Sequence, residues 1–244
     1  NVDQSAIIAP RGGVSLTAGR DVSFGLAGVE FGNDVRANGS IVVNAGRDFL
    51  LSGFADFFAD GVLGTTGGNL IVNAGRHISL LDDTGNSASL AVLGSGGGDV
   101  ILTTGAGGLL TLEPPSTNTL ASGSGSVIVN ADRIIISATS GITAPGDVTL
   151  RPVSEGRAIV LGSLSDSGAA IELSDGELDR IFADTLFLGS SSTGPITVGA
   201  VTQSGSRAAF SNHGPAVDVY APGQEILSSW NTGARAPGEA TVGM

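Results

Sequence analysis

The 244 residues include 39 glycines and no cysteine, are 41% hydrophobic but only 5% aromatic and 14% charged, and carry a formal net charge of −12 at pH 7. The apolar share excludes disorder, glycines that miss every third position exclude collagen, and the lack of cysteine excludes disulfides and thiol chemistry. All basic residues are arginine, 11 against 23 acidic ones, so no basic face is on offer and no nucleic-acid partner is expected.

Taken in chain order, one element keeps returning. Gly13-Val14-Ser15-Leu16-Thr17-Ala18-Gly19-Arg20-Asp21-Val22 is echoed by Ser40-Ile41-Val42-Val43-Asn44-Ala45-Gly46-Arg47-Asp48-Phe49 and by Asn69-Leu70-Ile71-Val72-Asn73-Ala74-Gly75-Arg76-His77-Ile78. Asp99-Val100-Ile101-Leu102-Thr103-Thr104-Gly105 keeps the first half, and Ser126-Val127-Ile128-Val129-Asn130-Ala131-Asp132-Arg133-Ile134-Ile135 is a worn copy. The period of about 27 to 31 residues is that of a stacked repeat. Each unit reads as strand, corner, strand: β-branched residues fill the first run, and the Ala-Gly pair predicts a tight bend with glycine at positive φ. No unit has an adjacent hairpin partner, so each strand must pair in parallel with its counterpart in the next unit. Two or three strands per unit, stacked about 4.8 Å apart, predict a rod roughly 35–45 Å long.

Two segments interrupt the pattern. Phe54, Phe57 and Phe58 stand at helical spacing and predict a short excursion packed on the rod. Ser174-Asp175-Gly176-Glu177 is a capping box, with Leu178, Ile181 and Phe182 as one apolar stripe, and predicts a helix over 175–183. Asp175, Glu177 and Asp179 lack the spacing of a calcium loop. Asn44, Asn73 and Asn130 recur at one position; a ligand ladder is conceivable, but an internal stack of amides at a corner is the simpler reading.

The Val-Asn-Ala-Gly-Arg-Asp element, Asp147-Val148-Thr149-Leu150-Arg151-Pro152, and Leu173-Ser174-Asp175-Gly176-Glu177-Leu178-Asp179-Arg180-Ile181 resemble the repeats of filamentous-haemagglutinin-like exoproteins. The resemblance covers most of residues 10–200. It implies an all-β fold, a right-handed parallel β-helix (solenoid) with one short helix near 175–183, in a large exported adhesin or surface filament.

From residue 196 the character changes. Arg207-Ala208-Ala209-Phe210-Ser211-Asn212-His213-Gly214, Val217-Asp218-Val219-Tyr220-Ala221-Pro222-Gly223 and Ile226-Leu227-Ser228-Ser229-Trp230 resemble the stretch of subtilisin-family serine proteases just before their catalytic serine. That family implies an aspartate, a histidine and a serine in one constellation. Residues 1–195 hold nothing like the aspartate and histidine motifs, and Ala240-Thr241-Val242-Gly243-Met244 stands where the serine motif is due. His213 does not match the catalytic base, and Asp218 matches a calcium-ligand position without the rest of its site.

Two domains are therefore expected: a rod over 1–195 and a subtilase-like tail over 196–244. The expected function is that of a structural, adhesive segment of a secreted or cell-surface bacterial exoprotein. No catalysis is expected, and no catalytic, cofactor-binding or metal-binding residue. Expected partners are a host-cell surface, matrix or glycan, and an outer-membrane transporter for export. Adhesive loops would lie at 54–61 or 112–124. The alternatives are an inactive subtilase fragment and a polysaccharide-degrading β-helix. The second is disfavoured by acidic residues scattered over turns, such as Asp82, Asp83, Asp99 and Asp166.

Overall fold

A computed structural model describes residues 6–24, 34–52, 56–59, 67–81, 92–112, 119–163 and 166–198. The strands follow one another in threes. The first rung holds β1 (Ala6–Ala9), β2 (Val14–Ala18) and β3 (Val22–Phe24); the second β4 (Asp34–Ala37), β5 (Ile41–Ala45) and β6 (Phe49–Ser52). The third holds β7 (Asp56–Ala59), β8 (Leu70–Ala74) and β9 (Ile78–Leu81); the fourth β10 (Val92–Ser95), β11 (Val100–Thr103) and β12 (Leu109–Leu112). Then come β13 (Thr119–Ser122), β14 (Val127–Asn130) and β15 (Arg133–Ile136), followed by β16 (Gly141–Thr143), β17 (Val148–Arg151) and β18 (Ile159–Leu161). The last described stretch holds β19 (Ile171–Leu173), α1 (Asp175–Leu178), β20 (Ile181–Phe182), β21 (Leu186–Leu188) and β22 (Ile196–Val198).

The described chain is thus nearly all β, and its ladders are parallel. Strands three apart pair: β1-β4-β7-β10-β13-β16-β20 form one sheet, β2-β5-β8-β11-β14-β17-β21 a second, and β3-β6-β9-β12-β15 a third. Six steps of about 4.8 Å make a seven-stranded sheet about 29 Å deep. That is shorter than the expected rod, because each rung uses up three strands. A smaller sheet, β19-β18-β22, lies beside β15.

Alternation explains why these runs settle as strands. In β5 and β8 every second residue is buried, so Ile41, Val43 and Ala45 stack on Leu70, Val72 and Ala74. The columns continue through Val100 and Leu102 to Val127 and Val129, then to Val148 and Leu150, all with no exposed surface. Phe49, Ile78 and Leu110 form the matching column of the third sheet. An inward β-branched or leucine side chain thus meets its own kind above and below, and the core is continuous along the stack.

Several expectations need correction. The phenylalanine excursion is a strand: Phe57 and Phe58 lie in β7, in register between β4 and β10. Two waiting backbone edges outweigh a three-residue helical pattern, and aromatics suit strands well; Phe54 and Asp60 lie outside the described residues. Within 112–124, Leu112 closes β12 and Thr119–Ser122 is the strand β13, while 113–118 lie outside the described residues. The helix stops at Leu178. Ile181 and Phe182 pair instead with Ile142 and Thr143, and Phe182 is 62% exposed rather than part of a buried stripe. Its capping box is nonetheless complete. The Ala-Gly corner also has a different cause. Gly46 and Gly75 do not have positive φ; a Cβ on either would lie 2.3 Å from the carbonyl oxygen of Gly19 or Gly46 in the rung before. Glycine is there because the corners stack too closely for a side chain.

Candidate functional site

The residues that recur in the sequence meet on the outer face of the second sheet and at the corner that follows it. Thr17, Asn44, Asn73, Thr103, Asn130 and Arg151 are register partners from β2 to β17. Asn44, Asn73 and Asn130 are half-buried and point outward, not into an internal corner, because they alternate with the core residues beside them. Asn73 Nδ2 donates to Asn44 Oδ1 at 3.0 Å, Asn130 Nδ2 donates to Thr103 Oγ1 at 2.9 Å, and Arg151 Nε donates to Asn130 Oδ1. An open groove of about 400 Å³ follows this ladder, lined by Thr17, Asn44, Asn73 and the Ala-Gly corners.

The corner shows what Gly-Arg-Asp is for. Arg47 Nε donates to Asp21 Oδ1 at 2.7 Å while its Nη2 bonds Oδ2 of the same carboxylate; Arg76 grips Asp48 in the same forked way, Nε to Oδ1 at 2.9 Å. Each carboxylate also accepts a backbone N–H of the next rung, from Asp48 and His77 respectively, at 3.2 Å. The arginine hydrogen bonds, with some help from these amides, hold both carboxyls below the usual aspartate range. His77 takes the aspartate's place in the third rung: its Nδ1 accepts the N–H of Leu109 at 3.1 Å.

In the worn copy the corner is one residue shorter. Ile134 stands in the column of Leu110, Ile78 and Phe49, so Arg133 occupies the position of His77 and Asp48 rather than that of Arg76. Asp132 compensates. It is fully buried, and its carboxylate accepts the N–H groups of Gly107 (2.6 Å), Val153 (2.9 Å) and Ser154 (2.8 Å), as well as the Ser154 hydroxyl. Burial pushes this carboxyl up, but the Ser154 hydroxyl and the Ser154 and Gly107 amides outweigh it and leave the group below its ordinary value. Arg157 clasps the same turn, donating to the carbonyls of Asp132 and Gly168, each at 2.6 Å. Sequence reasoning missed Asp132; its replacement of a corner glycine was the available signal.

Three other acidic side chains, Glu177, Asp99 and Asp166, make structural contacts. Glu177 completes the capping box and accepts the N–H of Ile136 at 3.0 Å, while Arg180 Nη2 donates to the Ile136 carbonyl at 2.6 Å, so the two tie α1 to the end of β15. Asp99 accepts from Ser126 N at 2.9 Å, and Asp166 pairs with Arg133 at 3.0 Å. Asp82, Asp83, His213 and Asp218 lie outside the described residues. Among the described residues no three His, Cys, Asp or Glu side chains gather as a metal site, and no helix is long and apolar enough to cross a membrane.

No family model matches the chain, and no solved structure does. Short stretches do match serine proteases. The chain is 51% identical over 41 residues to alkaline protease 1 of Aspergillus clavatus and 58% identical over 41 residues to subtilisin-like protease 3 of Pseudogymnoascus destructans. It is 52% identical over 44 residues to an extracellular serine proteinase of a Thermus species. These spans are 17%, 17% and 18% of this chain, and 10%, 10% and 11% of the relatives, so the chain spans about a tenth of the length of the curated relatives it matches. They support a subtilase-like segment. They also overturn the expectation of no catalysis, because these relatives are proteases.

Proposed function

We propose that the chain is a piece of a secreted protein with a subtilisin-like serine protease part, its subtilase-like segment at 196–244 following a rod over 1–195. The observation that carries this reading is the 51–58% identity, over 41 to 44 residues, to three proteases, one of them named as alkaline, one as subtilisin-like and one as an extracellular serine proteinase. In that chemistry a serine attacks the peptide carbonyl, a histidine takes its proton, and an aspartate orients the histidine. The three must converge in one site, so the assay belongs on the protein encoded by the full coding region. That protein is expected in the culture medium, hydrolysing casein and labelled by a fluorophosphonate serine probe. A full-length product that neither cleaves nor labels would overturn the reading.

For residues 1–195 we infer a right-handed parallel β-helix of the filamentous-haemagglutinin type. The pairing of strands three apart supports it, as does the Arg-to-Asp ladder between successive corners. On this second reading the rod is exported through an outer-membrane transporter and displayed at the cell surface, where it binds a host-cell, matrix or glycan surface. A glycan array and a host-cell binding assay test it, and binding to neither counts against it.

A further inference from the structure

The outer face of the second sheet carries no charged side chain from β2 to β14. Beside the column of Thr17, Asn44, Asn73, Thr103 and Asn130 runs another, Ser15, Val42, Ile71, Ile101 and Ile128, two residues earlier in each strand. Its aliphatic members are half-buried and make a low apolar strip along the amides. The arginines that follow the groove's glycines, Arg47 and Arg76, are already taken up by Asp21 and Asp48. The amide ladder is closed at one end and open at the other. Asn130 donates to Thr103 and to the Leu102 carbonyl, and accepts from Arg151. Between Asn44 and Asn73 a single bond is made, so Asn44 Nδ2, Asn73 Oδ1 and the Thr17 hydroxyl have no partner among the described residues. All three side chains line the open groove of about 400 Å³.

We propose that this groove and strip bind a neutral polysaccharide laid along the stack. The proposal rests on the second reading above and gives its glycan a site. A sugar hydroxyl both donates and accepts, so one chain can serve the free amide donor, the free amide acceptor and the threonine, while its C–H faces cover the aliphatic strip. The face offers no charge to a nucleic acid, a sulfated glycan or a uronate polymer. An extended polypeptide repeats on one side every two residues, about 6.6 Å, and drifts out of step with rungs about 4.8 Å apart. A polysaccharide carries several hydroxyls on each ring and needs no such register. A second copy of the chain would bury too little: a face about 29 Å by about 15 Å offers on the order of 400 Å² a side, half of what a stable protein interface buries.

The test is affinity electrophoresis of the whole chain through gels containing xyloglucan, galactomannan or laminarin, with heparin, polygalacturonate and reduced, carboxymethylated lactalbumin as comparison polymers. Retardation by at least one neutral polysaccharide is expected, and none by the comparison polymers. Replacing both amides, Asn44→Val with Asn73→Val, should weaken binding about tenfold or more, the loss of two hydrogen-bonding groups. Thr17→Val should weaken it about threefold. Since the Thr17 hydroxyl bonds nothing in the fold, that variant decides the matter if the double one lowers the dichroism midpoint. Retardation that persists unchanged in these variants would overturn the site and leave glycan binding elsewhere on the chain, and so the second reading, standing. Retardation by heparin, polygalacturonate or unfolded lactalbumin alone would overturn the proposal. Host-cell binding without retardation by any neutral polysaccharide would overturn the proposal alone, and the absence of both would overturn the second reading with it.

Discussion

Asp132 is a charged side chain with no exposed surface, surrounded by four donors that have no better acceptor nearby. Replacing it with asparagine keeps the shape but turns one acceptor into a donor that faces other donors. A loss of about 2–3 kcal/mol is expected, from buried donors left unsatisfied, measured as a lower urea midpoint. The same group shapes the acid response. Asp21, Asp48 and Asp132 all have folded pKa values below those of the unfolded chain. Their contribution is therefore complete above the unfolded aspartate value of about 3.9 and is lost as the pH falls through the folded values. Urea midpoints measured downward from about pH 5 should fall below about pH 4. The Asp132→Asn chain should lose less over that interval, since part of the acid-sensitive stabilisation is already gone.

At the scale of the element, the corner glycines give a test with an internal control. A Cβ at Gly75 would sit 2.3 Å from the Gly46 carbonyl oxygen, whereas a Cβ at Gly19 meets nothing within 4 Å. Gly75→Ala should therefore cost about 1–3 kcal/mol as the rungs are forced apart, and Gly19→Ala should stay within about 0.5 kcal/mol of the parent. Equal effects at the two sites would mean that local bend geometry, not stacking, calls for the glycine. In the core, Leu102→Ala should cost about 2–5 kcal/mol, because its column neighbours are fixed above and below and cannot collapse into the gap.

The same elements show how far the sequence could be read. Alternating β-branched residues before an Ala-Gly-Arg or Ala-Asp-Arg corner made β2, β5, β8 and β14 visible, since one inward face repeats unit after unit. By contrast, β7 and β13 have no such periodicity and are strands because rungs on both sides offer them a ladder. The helix was legible at its start, where Ser174 and Glu177 cap each other locally. Its end was not, since Ile181 is drawn into the ladder by Ile142 from a distant part of the chain. The outward Asn ladder was legible as a repeat but not as an outer face, because its side is fixed by the register of the core beside it.

At the scale of the whole molecule, the proposed division at residue 195 can be tested with probes the chain already contains. Its single tryptophan, Trp230, and single tyrosine, Tyr220, both lie in 196–244, whereas the described parallel strands all lie before residue 199. Tryptophan fluorescence therefore reports on the subtilase-like segment, and far-UV circular dichroism is dominated by the parallel strands before it. A stack in which each rung touches chiefly its neighbours draws its cooperativity from ladders and core columns that run along its length, and residues 196–244 need not share it. Two units that fold apart predict urea transitions that do not coincide by the two probes, and a chain cut after residue 198 that keeps its dichroism midpoint. One unit predicts superimposable transitions and a midpoint that drops on truncation, because the last strands would lose a neighbour. Coincident curves would remove the boundary, and would make the subtilase-like segment a structural part of the parallel-strand unit rather than a separate one.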